Sequence, residues 1–307
     1  MSQITIIMAV YNGQTYLKEQ IESILANSYQ DFQLIICDDG STDDSVAICK
    51  QYEQDYPGKV FSYVNEKNLG VRDNFLMQAK NSETPYVMFC DQDDKWLEDK
   101  IEKSIRAMEK MEKKYGVNTP ITVYGDAIVT DSKLNEIAHS FHQTSKLDTH
   151  KVDLPHLLME NKLIGCTMIL NRALVEKLDT LPKDARMHDW WIGLIASAFG
   201  KIGYIHDPLL LYRQHEKNVV GNQSFVSYVK NRISNLGKQK DTILATIAQA
   251  EEFKEIYDKT LSEEARQSLT NFIALKNSGF IKKRRLLLQN GFLKSGLVRN
   301  IGLFVII

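Results

Sequence analysis

The sequence predicts an α/β protein built on a largely parallel sheet. Short apolar, β-branched runs alternate with segments of helical spacing four times between residues 3 and 114. Three of those runs end in polar clusters, Tyr11-Asn12, Asp38-Asp39 and Asp91 to Asp94. In open parallel sheets ligands bind outside the carboxyl ends of the strands, so such tips point to a binding edge.

Residues 3–10 (QITIIMAV) read as a buried strand that stops at the turn pair Asn12-Gly13. Residues 15–28 place Leu17, Ile21, Ile24 and Leu25 on one helical face. Residues 32–37 (FQLIIC) read as a second strand. Ser41 or Thr42 can cap the next helix, with Asp43 and Asp44 in its first turn. A third strand is expected at 60–64, a helix at 72–81 and a fourth strand at 85–90. A charged helix is expected from about 95 to 114, beginning at Trp96-Leu97. Later runs at 121–129, 164–170 and up to His206 read as strands, and 188–199 as a helix with Trp190 and Trp191. From about 222 the pattern is helical, with strand character only in the last few residues. The expected division is a catalytic domain over 1–220 and a helical C-terminal extension over 221–307.

Composition bounds the function. Of 307 residues, 43% are hydrophobic and 25% charged, which excludes disorder and collagen-like repeats. A net charge of -1 gives no chain-wide basic footprint for nucleic acid. The charge is uneven. Seven of the 38 basic residues lie from Lys276 onward, where there is no acidic residue, so the preceding part carries 31 basic against 39 acidic. Such asymmetry signals a partner. Cys37, Cys49, Cys90 and Cys166 sit in apolar runs without CxxC spacing, and read as buried thiols. Met1 leads directly into a strand-like run, and apolar stretches fall short of the ~18 residues of a spanning helix. The expected location is the cytoplasm.

The chemistry concentrates in five places. Asp91-Gln92-Asp93-Asp94 sets three carboxylates in four residues, which repel unless a cation or strong donors satisfy them. Hard oxygen ligands favour Mg²⁺ or Mn²⁺; a helix N-terminus is the alternative. Asp38-Asp39-Gly40-Ser41-Thr42-Asp43 offers an acceptor for a nucleobase or ribose, or a plain turn and cap. Asn68-Leu69-Gly70-Val71-Arg72 is a glycine turn with an arginine suited to a base or phosphate, or a solvated one. In His188-Asp189-Trp190-Trp191 a desolvated Asp189 suits a general base, or caps its helix. Arg213, His215 and Asn218 offer a phosphate contact and a metal ligand, or structural side chains.

In this order and spacing, together with Ala9-Val10-Tyr11-Asn12-Gly13 and Lys95-Trp96-Leu97, the motifs resemble the family 2 glycosyltransferases of GT-A fold over residues 3–220. The Asp-Gln-Asp-Asp and His-Asp-Trp-Trp forms look most like the rhamnosyltransferase branch of bacterial cell-wall and capsular polysaccharide synthesis. The resemblance implies a Rossmann-like mixed sheet flanked by helices. It implies that Tyr11 and Asp39 hold the base, that Arg72 helps there or at the diphosphate, and that Asp91 faces the ribose. Asp93 and His215 would ligate Mn²⁺ or Mg²⁺ with Asp94 in support, Arg213 would contact the diphosphate, and Asp189 would be the catalytic base with His188 and Trp190 beside it. Many members carry Glu where this chain has His188, which affects the acceptor side. The implied reaction is inverting transfer of L-rhamnose from dTDP-L-rhamnose to a lipid-linked or growing glycan. A UDP-hexose donor, and a non-catalytic nucleotide-sugar-binding scaffold at the membrane surface, are the alternatives. A nucleotidyltransferase would want a basic Gly-rich loop after the first strand, which Tyr11-Asn12-Gly13 does not supply. Basic residues mixed with aliphatics after residue 276 suit an interfacial element on the cytoplasmic leaflet or a homodimer contact.

Overall fold

A computed structural model describes residues 2–215 and 236–307; Asn218 and the expected boundary at 220 lie outside them. Contacts divide the chain into two compact units, residues 1–141, 163–181 and 200–215, and residues 142–162, 182–199 and 216–307.

The first unit is a mixed sheet with helices. In chain order it holds β1 (Ile4–Val10), α1 (Leu17–Leu25), β2 (Phe32–Asp38), α2 (Ser45–Asp55), β3 (Val60–Val64), α3 (Gly70–Asn81), β4 (Tyr86–Cys90), β5 (Lys95–Trp96), α4 (Lys100–Tyr115), β6 (Ile121–Thr130) and β7 (Glu136–Ala138). After α5 (Phe141–Ser145) and α6 (Leu154–Met159) of the second unit come β8 (Ile169–Asn171), α7 (Arg172–Val175) and, beyond α8 (His188–Phe199), β9 (Lys201–Arg213). Strand order is β3-β2-β1-β4-β8-β6-β9-β5, with β7 on β6. Ile4, Ile6, Ile7 and Met8 of β1 are fully buried, as a central strand covered on both faces requires.

Register places the site. β3, β2, β1 and β4 are parallel, with Val10 opposite Asp38, Asp38 opposite Val64 and Met8 opposite Cys90. Their tips therefore share one edge. β8 runs antiparallel to β4 and to β6, and β6 is parallel to β9. Two reversals restore the direction, so β9 also ends at that edge. This is how residues 213–215 reach the loop after β4.

Three local expectations are corrected. Lys95–Trp96 is a short strand paired with Leu210 and Leu211, not a helix start. Backbone N–H groups there are taken by Ser23 Oγ and the Leu209 carbonyl, so α4 starts only at Lys100. Within 164–170 a 3-10 turn (Gly165–Thr167) precedes β8, because Thr167 Oγ1 bonds the Ile164 carbonyl and turns the chain. The last residues form a helix, not a strand.

The second unit is helical among its described residues. It includes α9 (Leu236–Tyr257), α10 (Glu263–Ile273), α11 (Phe280–Asn290) and α12 (Leu297–Ile306). Trp191 of α8 is fully buried, edge-on to Phe253 at 5.2 Å. Gln249 and Glu252 of α9 accept from the backbone at Arg186, Lys183 and Asp184, fixing the segment that leads into α8.

Candidate active site

The rim is assembled by side chains that stand in for backbone. Beyond β1, Tyr11 N–H donates to Gln92 Oε1 at 2.9 Å and Gln92 Nε2 donates to the Tyr11 carbonyl at 3.1 Å. The Gln92 amide thus extends the β1–β4 pairing by one step. A Cβ on Gly13 would come within 2.3 Å of Gln92 Oε1, so only glycine leaves the amide its place. Asn12 turns the chain at φ 50°, a region Asn tolerates. Its N–H donates to Ser41 Oγ, and its Oδ1 accepts from Thr42 N, both at 2.8 Å. Tyr11 itself is 51% exposed on the rim.

Asp38 and Asp39 divide the work after β2. Asp38 Oδ1 accepts from Gly40 N and Ser41 N and closes the turn. Asp39 reaches the other way. Its carboxylate accepts from Asn65 Nδ2, Leu69 N and Gly70 N at 2.9, 2.8 and 2.7 Å. Asp39 is buried and fixes the loop that feeds α3. Arg72, in the first turn of α3, makes a two-pronged pair with the neighbouring Asp73 at 2.6 and 3.1 Å.

The acidic segment after β4 meets the end of β9. His215 Nε2 lies 2.8 Å from Asp93 Oδ2, and its ring stacks on Tyr16 at 5.1 Å. Asp93 and His215 are both partly exposed. Asp94 is buried; one oxygen accepts from Arg213 N at 3.1 Å. Burial, then the charges of Asp93 and Asp91, push its carboxyl well above the usual range. Ligand atoms of Asp91, Asp94 and Cys166 lie within 4.8 Å of one another.

Arg213 is placed as a brace. It is 2% exposed. Its guanidinium donates to the Asp93 and Ser132 carbonyls, each at 2.7 Å, and to Glu19, and lies 4.4 Å over the Tyr16 ring. Sequence reading missed Glu19, Tyr16 and Lys100. Lys100 is fully buried, lies 4.0 Å over the Trp96 ring and donates to the Cys166 carbonyl. Burial lowers its ammonium to about 8 against the pull of nearby Asp94 and Asp91. A buried lysine six positions after an acid cluster carries no motif; only its place in the first turn of α4 reveals it.

Asp93 and His215 present an oxygen and an imidazole nitrogen together, donor types that suit a divalent cation. The carboxylates of Asp91 and Asp94 group instead with the Cys166 thiol.

In the second unit, Asp189 stands in the first turn of α8. It is 9% exposed, and its Oδ1 accepts from Trp190 N at 2.7 Å. Trp190 Nε1 donates to the Leu157 carbonyl at 2.6 Å, which orients the indole. His188 is buried, and burial lowers its imidazole to about 3, so it is neutral.

The family model described as "Glycosyl transferase family 2" matches residues 5–177. A dTDP-rhamnosyl transferase, RfbG of Shigella flexneri, is 30% identical over 73% of this chain and 77% of its own length. The minor teichoic acid biosynthesis protein GgaB of Bacillus subtilis is 25% identical over 78% of this chain, which spans 27% of that larger protein. Among solved structures, S. aureus TarS 1–349 in complex with UDP-GlcNAc has a TM-score of 0.59 at 15% identity, covering 94% of this chain and 80% of that one. The mannosyltransferase PcManGT from Pyrobaculum calidifontis, in complex with GDP-Man and Mn²⁺, has a TM-score of 0.57 at 14% identity over 94% and 79%. At these identities the structural matches speak to the fold, which is GT-A-like.

Proposed function

The chain belongs to glycosyl transferase family 2 and is a nucleotide-sugar-dependent glycosyltransferase; we propose that it moves L-rhamnose from dTDP-L-rhamnose to a lipid-linked or growing polysaccharide acceptor at the cytoplasmic face of the membrane. The observation that carries the chemistry is the meeting of His215, at the end of β9, with Asp93 in the acidic segment after β4. The similarity to a dTDP-rhamnosyl transferase supports the choice of donor.

In this reading the exposed Tyr11 ring stacks on the base, and Asp39 fixes the loop around it and offers its remaining acceptor capacity. Asp91 takes the ribose, and Arg72 lies beside the base or diphosphate. Asp93 and His215 would hold Mn²⁺ or Mg²⁺, with Asp94 in support and Arg213 bracing the loop from below. Such an ion supplies positive charge where the departing diphosphate gathers negative charge. Asp189 removes the proton from the acceptor hydroxyl. The freed oxygen forms its bond to the anomeric carbon as the bond to the nucleoside diphosphate breaks on the opposite face. One displacement inverts the configuration and needs no enzyme nucleophile. Residues 1–220 carry this chemistry, and 221–307 serve as an accessory element.

A donor panel tests the reading. The full chain is assayed with dTDP-L-rhamnose, UDP-GlcNAc, UDP-glucose and GDP-mannose in Mn²⁺ or Mg²⁺, with EDTA controls, by donor hydrolysis and thermal shift. The expected result is metal-dependent turnover of dTDP-L-rhamnose. Asp189→Asn should lower turnover by about 10²–10⁴-fold and keep the thermal shift. Preference for a UDP-hexose would discard rhamnose and keep the enzyme. Silence with every donor would overturn the catalytic reading in favour of a nucleotide-sugar-binding scaffold.

A further inference from the structure

Helix α12 is amphipathic in the inverted sense. Leu297, Ile301 and Val305, at i, i+4 and i+8, are 76%, 57% and 69% exposed. Its polar side chains turn inward instead. Arg299 pairs with Glu160 at 2.8 Å and donates to the Ser145 carbonyl, and Asn300 bonds the Lys294 backbone on both sides. Only Leu303 is a buried aliphatic anchor on this helix. The neighbouring α11 also exposes apolar side chains, with Phe280, Ile281 and Leu288 at 70%, 82% and 64%. Aliphatics do not face water over two successive helices without a partner.

Charge identifies that partner. Lys282, Lys283, Arg284 and Arg285 lie between the exposed residues of α11, and no carboxylate pairs with them among the described residues. From Lys276 onward the sequence has no acid. Arg284 donates to the Phe304 carbonyl, which ties the basic helix to the aliphatic one. No helix among the described residues is long and apolar enough to cross a membrane.

We propose that α11 and α12 form an interfacial docking surface for an anionic phospholipid bilayer, with the aliphatic stripe in the acyl boundary and the α11 cations at the headgroups. A second copy of this chain would have to bring acids to meet those cations, and the same surface supplies none. The inference deepens the membrane-side setting proposed for the acceptor and rests on that reading for its purpose, but lipid binding and donor turnover are read separately, so each can fail alone.

The test is co-sedimentation of the full chain with vesicles of phosphatidylcholine alone or with 30% phosphatidylglycerol, alongside size exclusion without lipid. The full chain should bind the anionic vesicles and not the neutral ones, and 0.5 M salt should release it. Lys282→Gln, Lys283→Gln and Arg285→Gln together should weaken partitioning about a hundredfold. Leu297→Glu with Ile301→Glu should abolish it while soluble donor hydrolysis stays unchanged, which separates lost docking from lost folding. Absence of vesicle binding by the unaltered chain would overturn the proposal. So would a dimer in solution that the same glutamates dissociate, because the stripe would then be a protein contact.

Discussion

His215 reaches Asp93 across 122 positions, and Arg213 reaches Glu19 across 194. The two side chains leave the same strand end with different duties. His215 presents a nitrogen at a partly exposed carboxylate. Arg213 is buried, with its donors spent on carbonyls and Glu19. Substitution should separate them. His215→Gln or Asp93→Asn should cost about two orders of magnitude or more in metal-dependent donor hydrolysis and leave the urea midpoint within error. Arg213→Met should lower stability by about 3 kcal/mol, because several buried acceptors lose their donor at once. A full loss of activity in Arg213→Met at unchanged stability would return the arginine to direct substrate contact.

Elements meet this edge through register, and register is only half readable in sequence. β1 to β4 are legible because each strand is a short apolar run with a helix after it, and a parallel order follows from that alternation. β8 is not legible. Its three residues follow a 3-10 turn inside one apolar stretch, yet it is the strand that reverses direction twice and brings β9 home. The acidic cluster, Tyr11 and Asp189 stand out by residue type. The brace does not, since a buried arginine and a loop arginine look alike before the chain folds. The same holds at Gly200, where a Cβ would sit 1.7 Å from the Pro120 carbonyl oxygen. Backbone there cannot yield, and this contact sets how β9 begins beside β6. Gly200→Ala should therefore destabilise by about 2–4 kcal/mol, read by urea denaturation. A neutral result would mean that β9 can slide against β6.

At the scale of the whole molecule, acid should act first through His188. Its unfolded imidazole titrates near 6.5 and its buried form only near 3, so the unfolded chain takes up the proton first. The stabilisation is complete above pH 6.5 and falls as pH drops toward 3, by roughly 1.4 kcal/mol per unit. Two of the three tryptophans adjoin this residue, so intrinsic fluorescence follows its unit. Between pH 6.5 and about 5, before ordinary carboxylates titrate, His188→Gln should lose that slope relative to the unaltered chain. Equal slopes would show that His188 stays solvated. The thiols have a consequence of a different kind. All four cysteines are buried, Cys37 and Cys49 pushed to about 12 and Cys90 and Cys166 well above their ordinary value, by burial first. None presents the thiolate that alkylating reagents attack. A single cysteine introduced on the surface would therefore take a fluorophore or spin label against a silent background, with no native residue removed beforehand.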